Sequence, residues 1–332
     1  MAARLHPALL RPPEIVDLRR IAARDLESLL REETAAWREE LEWDFEKSAD
    51  LVRRFVDLRA LSGCALVEDG EVSGYLYYVL EDNKGLIGDL YVRREYRTAD
   101  REDRLLGTAL AEIMAVRHVS RIESQLMMVR YAPDRAIPRR DCLASYERNF
   151  MRVDLRNAAL AEGRVRRPMY IERWSDQYHE SASQLIAAAY AGHVDSRIND
   201  QYRSTAGARR FLFNIMQYPG CGAFYRPASF AAFEAATGRL CGVSLASLVA
   251  ASTGHITQIC VSPAVRGTGI GHALLRRSLT TLRDMGCTSA TLTVTATNTD
   301  AVDLYRRVGF ETARQFAAFV WEGWPKPGLR GL

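Results

Sequence analysis

The sequence of 332 residues carries 45 lysines and arginines against 41 aspartates and glutamates, a formal net charge of +4. So small a charge gives no indication of a nucleic-acid partner, and 48% hydrophobic with 26% charged residues is typical of a globular rather than a disordered protein. The length predicts two domains of ordinary size, each long enough to bury its own core.

No apolar run reaches the roughly 18 residues that a membrane helix needs. Met1 to Pro13 lack the apolar core and cleavage site of a signal peptide, and we interpret them as a short leader into the first strand. We therefore expect a cytoplasmic protein with no membrane partner. None of the cysteines forms a C-x-x-C pair, so buried free thiols are expected rather than disulfides or a metal site. These cysteines are Cys64, Cys142, Cys221, Cys241, Cys260 and Cys287.

The first half predicts a short strand, a long helix, a meander of three strands, a second helix and a strand, followed by a short helix and a last strand. Turn residues lie where the meander needs them, at Asp69-Gly70 and from Asn83 to Gly85. The predicted bounds are Glu14–Arg19, Asp25–Arg59 with a break near Lys47–Asp50, Cys64–Glu68, Val72–Leu80, Leu86–Val92, Asp103–Val119, Ile122–Val129, Cys142–Arg148 and Met151–Leu155.

The basic, proline-bearing stretch Glu162 to Pro168 predicts a linker, which gives domains at 1–161 and 169–332. The second half then follows a similar order, which suggests an internal duplication with a period of roughly 160 residues. Its predicted elements are Met169–Arg173, Asp176–Tyr190, Thr205–Tyr218, Ser229–Glu234, Leu240–Ala250, His255–Val261, Ile270–Met285, Ser289–Thr295, Asp300–Val308 and Glu311–Trp321.

The strongest functional signal is an apolar strand, a glycine-rich loop and an amphipathic helix in the second half. Gly267, Gly269 and Gly271 free the backbone from Cβ contacts, so successive N–H groups can face one anion beside the helix N-terminus. The G-x-G-x-G spacing is not that of dinucleotide folds, because position 272 is histidine, and it lacks the G-K-[ST] ending of a P-loop. The loop therefore predicts a pyrophosphate site of another kind.

This segment resembles motif A of the GNAT superfamily (GCN5-related N-acetyltransferases), [QR]-x-x-G-x-[GA], at Arg266, Gly269 and Gly271. A second stretch resembles the N-x-x-A-x-x-L-Y-x-x-x-G-F signature of that family. The resemblance implies an α/β (α+β) chain of two tandem GNAT folds, each a mixed, mostly antiparallel twisted sheet flanked by helices, with a splayed central strand. The matching signature residues are Asn298, Ala301, Leu304, Tyr305, Gly309 and Phe310.

The resemblance also implies the activity, an acetyl-coenzyme A-dependent N-acetyltransferase that passes the acetyl group directly to a primary amine, without a metal. Tyr305 would protonate the leaving thiolate as general acid. Asn298 would belong to the coenzyme site. Ile259, Cys260 and Val261 would pair with the pantetheine arm. The pyrophosphate would be bound by the main-chain N–H groups of Arg266, Gly267, Thr268, Gly269, Ile270 and Gly271.

The general base is predicted at His255, the position at which some relatives carry a glutamate. An imidazole with an ordinary pKa near 6.5 suits the role. His255 and Ile259 share strand parity and are expected to face the same side. A strand-end histidine bonded in the core is the alternative. Gln258 and Cys260 would face the other side, and Cys260 as an acyl-carrying nucleophile is a further alternative.

The acceptor groove is predicted in the helical region of the second half, although a solvated loop is the alternative there. The loop Tyr218 to Gly222 follows this region. A metabolite amine, an amino sugar, an antibiotic and a protein amine all remain open as acceptors, as do monomer and dimer. The polar residues of the region are His193, Asp195, Arg197, Asn199, Asp200, Tyr202 and Arg203.

The first half looks like a degenerate copy of the same domain. The charged stretch Thr98 to Leu105 replaces the glycine loop, only Gly107 remains, and Tyr146 is not followed by a Gly-Phe pair. A structural role is expected, and weak coenzyme binding stays open. For the whole chain, a non-catalytic coenzyme A sensor or scaffold and a longer-chain acyltransferase are the alternatives.

Overall fold

The computed structural model describes residues 13–130, 132–218 and 220–325, so the predicted leader before residue 13 and Pro219 of the predicted loop lie outside the described residues. Within these ranges no helix is long and apolar enough to cross a membrane. The chain forms two compact units. Unit 1 consists of Met1–Ala36, Ala49–Ala144 and Phe319–Leu332, and unit 2 of Trp37–Ser48 and Ser145–Ala318.

Unit 1 contains a sheet in the order β1-β2-β3-β4-β5. Its first four strands pair antiparallel, whereas β4 and β5 run parallel and pair only over Lys84–Ile87. The two strands separate beyond that point. The elements, some of which continue into unit 2, are β1 Glu14–Asp17, α1 Ala23–Leu41, α2 Glu46–Asp57, β2 Ser62–Glu68, β3 Glu71–Glu81, β4 Lys84–Val92, α3 Ala99–Ala115 and β5 Arg121–Gln125.

Two expectations for the first half need correction in their details. The long helix breaks between Leu41 and Glu46, before the predicted position, where Glu42 takes a φ of 58°. The charged stretch after Arg97 is not a loop, because α3 begins at Ala99 and Thr98 caps it by accepting the N–H of Arg101. Acidic residues in that first turn disfavour an anion at this helix end.

Unit 2 contains strands in the order β13-β6-β12-β11-β10-β9-β7, with β8 beside β10. Helices flank this mixed, mostly antiparallel sheet, which confirms the predicted fold class. The elements are β6 Leu143–Asp154, β7 Met169–Arg173, α4 His179–Tyr190, α5 Asp195–Ile198, α6 Thr205–Gln217, β8 Ala223–Phe224, β9 Phe230–Glu234, β10 Leu240–Ala250, β11 Thr253–Val261, α7 Ile270–Asp284, β12 Ser289–Thr295, α8 Thr299–Val308 and β13 Glu311–Glu322.

The predicted short helix near Cys142–Arg148 is wrong, because these residues belong to a 3-10 turn and to β6. Strand β6 pairs antiparallel with β12, from Arg148 opposite Thr295 to Asp154 opposite Ser289. Long-range pairing with an exposed strand edge outweighs the local helical pattern. As a result, residues 145–161 pack with unit 2, whereas the predicted boundary at 161 follows the linear halves of the chain.

Helix α7 anchors the glycine loop to the sheet of unit 2. Its apolar side chains recur every three or four residues and are fully buried, as expected for one face of an amphipathic helix. Each buried leucine stabilises the fold by about 1.5–3 kcal/mol relative to an exposed one. Helices α4 and α6 bury Leu185, Ile186 and Leu212 with Val243 and Leu245 of β10.

A buried pair of carboxyl groups lies in unit 1. Asp89 of β4 is 4% exposed and shares a hydrogen bond with Glu33, which also accepts the hydroxyl of Tyr75 at 2.9 Å. Burial raises the pKa of Asp89 to about 6, against smaller opposing effects of the Glu33 and Leu90 hydrogen bonds. Between about pH 4 and pH 6 the native state therefore keeps a proton on Asp89 that the unfolded chain has already released.

We predict that stability falls as the pH rises from about 4 to 6 and stays lower above that range, because deprotonation of Asp89 opposes folding. Asp89→Asn should remove this loss and raise the free energy of unfolding at pH 8 by about 1–3 kcal/mol. Urea unfolding at pH 4.5 and pH 8 measures both effects. The matched control is Asp134→Asn at an exposed position. An Asp89→Asn protein with the same pH dependence as the parent would contradict the prediction.

Candidate active site

The glycine loop joins β11 to α7 through a 3-10 turn at Pro263–Val265. Gly267 and Gly269 take φ values of 72° and 93°, a left-handed conformation that favours glycine. Gly269 stands at the N-cap of α7, and no side chain caps the helix there. The first N–H groups of α7 thus lack a side-chain acceptor and suit an anion.

A cavity of about 590 Å³ opens beside this loop in unit 2. All the residues predicted to bind the coenzyme line it, except Thr268, whose hydroxyl donates to the carbonyl of Val265. Tyr305 also lines the cavity, and His255 does not. The predicted residues that line it are Ile259, Cys260, Val261, Arg266, Gly267, Gly269, Ile270, Gly271, Asn298 and Tyr305.

The cavity borders a strand edge that has no partner. Strand β11 pairs in parallel with β12 only from Thr253 to Ile256, and the strands then separate. On its other side β11 stays paired with β10 as far as Val261. The last residues of β11 therefore offer main-chain groups to the cavity, where an extended ligand can pair with them.

A bulge in β11 decides which side chains face the cavity. Leu245 of β10 lies opposite Gln258 and the next residue, Ala246, lies opposite Ile256, so Thr257 is an extra residue in β11. One inserted residue reverses the facing of all side chains beyond it. The expectation that His255 and Ile259 face the same side is therefore wrong.

His255 lies in the core of unit 2, at 3% exposure. Its Nδ1 is 2.9 Å from the hydroxyl of Thr291, and its ring meets Trp43 edge-on at 4.8 Å between centroids. Burial lowers the pKa of His255 to about 3. A weakly basic imidazole that lies outside the cavity does not support the predicted role as general base.

Tyr305 points from α8 into the cavity and is 7% exposed. Burial, and after it the charge of Asp195, raise the pKa of its phenol above the ordinary value, while Arg148 opposes them. The phenol therefore keeps its proton at neutral pH and has it available to donate. Burial likewise raises the pKa of Cys260 to about 12, so that this thiol is protonated and ill suited to act as a nucleophile.

The far end of the cavity is built from residues outside the predicted coenzyme set. Tyr190 at the end of α4 and His193 line it. Gln258 donates to the hydroxyl of Tyr190 at 3.0 Å and accepts that of Tyr202 at 3.3 Å, and the two tyrosine rings stack at 4.4 Å. Of the predicted polar region, His193 lines the cavity and Tyr202 packs on the lining residue Tyr190. No pattern in the sequence pointed to Tyr190 beyond its place at a helix end.

A buried ion pair supports this end. Arg148 of β6 donates to Asp195 at 3.2 Å and to Thr295 at 3.0 Å, and Thr295 also donates to Asp195. His193 accepts the main-chain N–H of Asp195 through Nδ1 at 3.2 Å, and Nδ1 lies 3.7 Å from Asp195 Oδ2. Arg148 could not be found from sequence, because its place depends on the unexpected pairing of β6.

The described residues contain no group of three or more histidine, cysteine or acidic side chains that could hold a metal ion.

Part of this chain is similar to known proteins. Residues 196–310 match the model of the Acetyltransferase (GNAT) family. Mycothiol acetyltransferase of Mycolicibacterium vanbaalenii is 36% identical over 99 residues, 28% of this chain and 33% of that protein. The protein of the same name from Pseudarthrobacter chlorophenolicus is 29% identical over 163 residues, 48% of this chain and 46% of that protein. The chain thus matches less than half the length of these curated relatives.

Solved structures match nearly the whole chain. A GCN5-related N-acetyltransferase from Sphaerobacter thermophilus aligns with a TM-score of 0.67 at 19% identity, over 95% of this chain and 98% of that one. A tandem GNAT protein from the clavulanic acid biosynthesis pathway aligns with a TM-score of 0.58 at 18% identity, over 95% and 100%. At such identities the likeness shows the fold alone.

We predict that His255→Gln changes stability and leaves catalysis nearly intact. Thr291 and Trp43 lose a buried partner, which should cost about 1–3 kcal/mol of unfolding free energy. Thermal denaturation measures the loss, and the pH profile of kcat/KM with any accepted amine should keep its shape. A fall in kcat of a hundredfold or more in a stably folded variant would instead restore His255 as the base.

Proposed function

The chain belongs to the GNAT superfamily and has the tandem fold, and we propose that unit 2 transfers the acetyl group of acetyl-coenzyme A to an amine. One observation carries the proposal above all others. The uncapped N-terminus of α7, the free edge of β11 and the phenol of Tyr305 meet in one cavity. These are an anion site, a site for an extended amide chain and a proton donor.

The cavity suggests how acetyl-coenzyme A is held. The N–H groups from Gly267 to Gly271 suit the pyrophosphate, since they end at an uncapped helix. The unpaired main chain of Ile259 to Val261 suits the amides of the pantetheine arm. This arrangement brings the thioester toward Tyr305 and Cys260, which line the same cavity.

The acceptor amine then attacks the thioester carbonyl carbon, and the carbon–sulfur bond breaks. Tyr305 gives its proton to the departing sulfur. We assign the surplus proton of the amine to His193, directly or through water, because this imidazole lies near the tyrosines at the far end of the cavity. To take the proton at Nδ1, His193 would exchange the hydrogen bond that it accepts from the main-chain N–H of Asp195 for one that it donates to the Asp195 carboxylate, whose Oδ2 lies 3.7 Å away.

The acceptor is proposed only by class, a small molecule bearing a primary amine. The far end of the cavity presents the phenol of Tyr190 and the imidazole of His193, which suit a polar acceptor. The name of the matched relatives couples acetyl transfer to mycothiol, so the unacetylated amine form of that molecule is the first acceptor to assay. For unit 1 we propose a structural role, because helix α3 and its acidic first turn replace the glycine loop.

We predict one micromolar site for acetyl-coenzyme A per chain, and that Gly269→Glu weakens binding at least about 30-fold, because a carboxylate would repel the pyrophosphate. Isothermal titration measures both. The matched control is Gly269→Gln, which has the same positive φ and the same 2.5 Å approach of its Cβ to the carbonyl oxygen of Arg164 but no charge, so that the difference in affinity between the two variants measures the repulsion. Two sites per chain would contradict the role given to unit 1. No binding to the parent protein would overturn the proposed function.

We predict that Tyr305→Phe and His193→Gln each lower kcat by about 10²–10⁴-fold while the affinity for acetyl-coenzyme A stays within about twofold. Phenylalanine keeps the packing on Phe310, 6.0 Å away, and glutamine keeps a polar side chain. Thiol release from acetyl-coenzyme A with a panel of amines gives the rates, and titration gives the affinities. A coenzyme sensor would instead bind tightly and release no thiol with any amine.

A further inference from the structure

The predicted linker 162–168 does not run free but crosses the glycine loop. The main-chain N–H of Arg166 donates to the carbonyl of Thr268 at 2.9 Å. A Cβ on Gly269 would lie 2.5 Å from the carbonyl oxygen of Arg164, and a Cβ on Gly163 would lie 2.5 Å from Nδ1 of His272. Glycines on both partners thus permit a close approach, and we call this segment the strap.

The strap adds positive charge beside the loop. Arg164, Arg166 and Arg167 are exposed, and no hydrogen bond or ion pair of their side chains occurs in the described part of the chain. The one acid of the strap, Glu162, is neutralised by Arg276 at 2.9 Å. Three arginine charges therefore have no carboxylate partner there.

A second observation shows that the cavity wall shares this charge. Arg307 of α8 lines the cavity and is exposed. His272 of α7 also lines it, and its buried Nδ1 has no hydrogen-bond partner. Burial lowers the pKa of His272, and the charges of Arg276 and Arg307 lower it further, so positive charge converges here. The carboxylates of the cavity, Asp300 and Asp303, lie on α8 and not on the strap.

On the cavity wall itself the carboxylates of Asp300 and Asp303 offset Arg266 and Arg307, so the uncompensated positive charge is that of the strap, which a pyrophosphate on main-chain donors does not require. The N–H groups of the loop carry no formal charge and need no arginine to bind an anion. Uncompensated guanidinium groups are costly to cluster unless an anion joins them, and they match phosphate geometry well. Coenzyme A carries a further phosphate on its ribose, at the 3′ position, beyond the pyrophosphate.

We propose that the strap recognises the ribose 3′-phosphate of coenzyme A through Arg164 and Arg166, and so distinguishes coenzyme A from its 3′-dephospho form. This inference rests on the proposed function, because it places the coenzyme in the cavity of unit 2. The strap is fixed to the loop at Thr268, so both arginines start from backbone within reach of a ligand on that loop. They act on affinity and ligand choice and take no part in the acetyl transfer.

The test is a thermodynamic cycle between the ligand phosphate and the two arginines. Isothermal titration compares acetyl-coenzyme A with acetyl-3′-dephospho-coenzyme A on the parent protein and on the double variant Arg164→Gln/Arg166→Gln. We expect the parent to prefer the 3′-phosphorylated ligand by about tenfold or more, and the double variant by no more than about twofold. The affinity for the dephospho ligand should be the same in both proteins.

The matched control is Arg283→Gln, an exposed arginine in the last turn of α7. It removes the same charge about 20 Å along the helix from the loop, beyond the screening length of about 8 Å, and should keep the preference of the parent. The preference of the parent should also shrink when the salt concentration is raised from 50 to 500 mM.

Equal affinity of the parent for both ligands would overturn the proposal and leave the proposed function intact. A double variant that loses affinity for both ligands alike would also overturn it, because the strap would then only shape the loop. Failure of the parent to bind either ligand is a distinct result, since it overturns the proposed function and the strap assignment together.

Discussion

The parallel pairing of β11 with β12 ends at Ile256, and the cavity exists because the two strands part beyond that residue. Where the strands separate, main-chain groups of Ile259 to Val261 have no strand partner on the side of β12 among the described residues. Folded proteins seldom leave main-chain N–H and C=O groups without a hydrogen bond, so a ligand or water is expected to bind there. The glycine loop and α7 begin where β11 ends, so the anion site and the open strand edge are set by one structural feature.

Segments that precede the predicted linker complete unit 2. Residues 37–48 bring Trp43 against His255, and residues 145–154 bring Arg148 to Asp195. A buried arginine–carboxylate pair stabilises the fold only when its geometry is good and further hydrogen bonds satisfy the remaining polar atoms. Here the hydroxyl of Thr295 donates one such hydrogen bond to Asp195. The far end of the cavity therefore depends on parts of the chain that sequence similarity between the halves would assign elsewhere.

The structure brings the residues predicted for the coenzyme into one cavity, apart from Thr268, because the glycine loop and the Tyr305 helix are local patterns whose spacing dictates their geometry. The prediction for His255 was wrong, because the extra residue Thr257 reverses the side of the sheet that the following side chains face. Such a bulge cannot be recognised from the alternation of residue types along the strand. The prediction also failed at the first half of β6, which was predicted as a helix, since that strand is held by pairing with the distant strands β12 and β13. Nothing in the sequence indicated that the strap crosses the glycine loop, because its hydrogen bond to the loop joins main-chain atoms.

The most direct test of the account is a crystal structure of the full chain with acetyl-coenzyme A. The account predicts one coenzyme per chain in unit 2, with its pyrophosphate on the N–H groups from Gly267 to Gly271. The pantetheine should pair with the free edge of β11, and the thioester sulfur should lie within hydrogen-bond reach of Tyr305. A coenzyme in unit 1, or a thioester far from Tyr305, would contradict it.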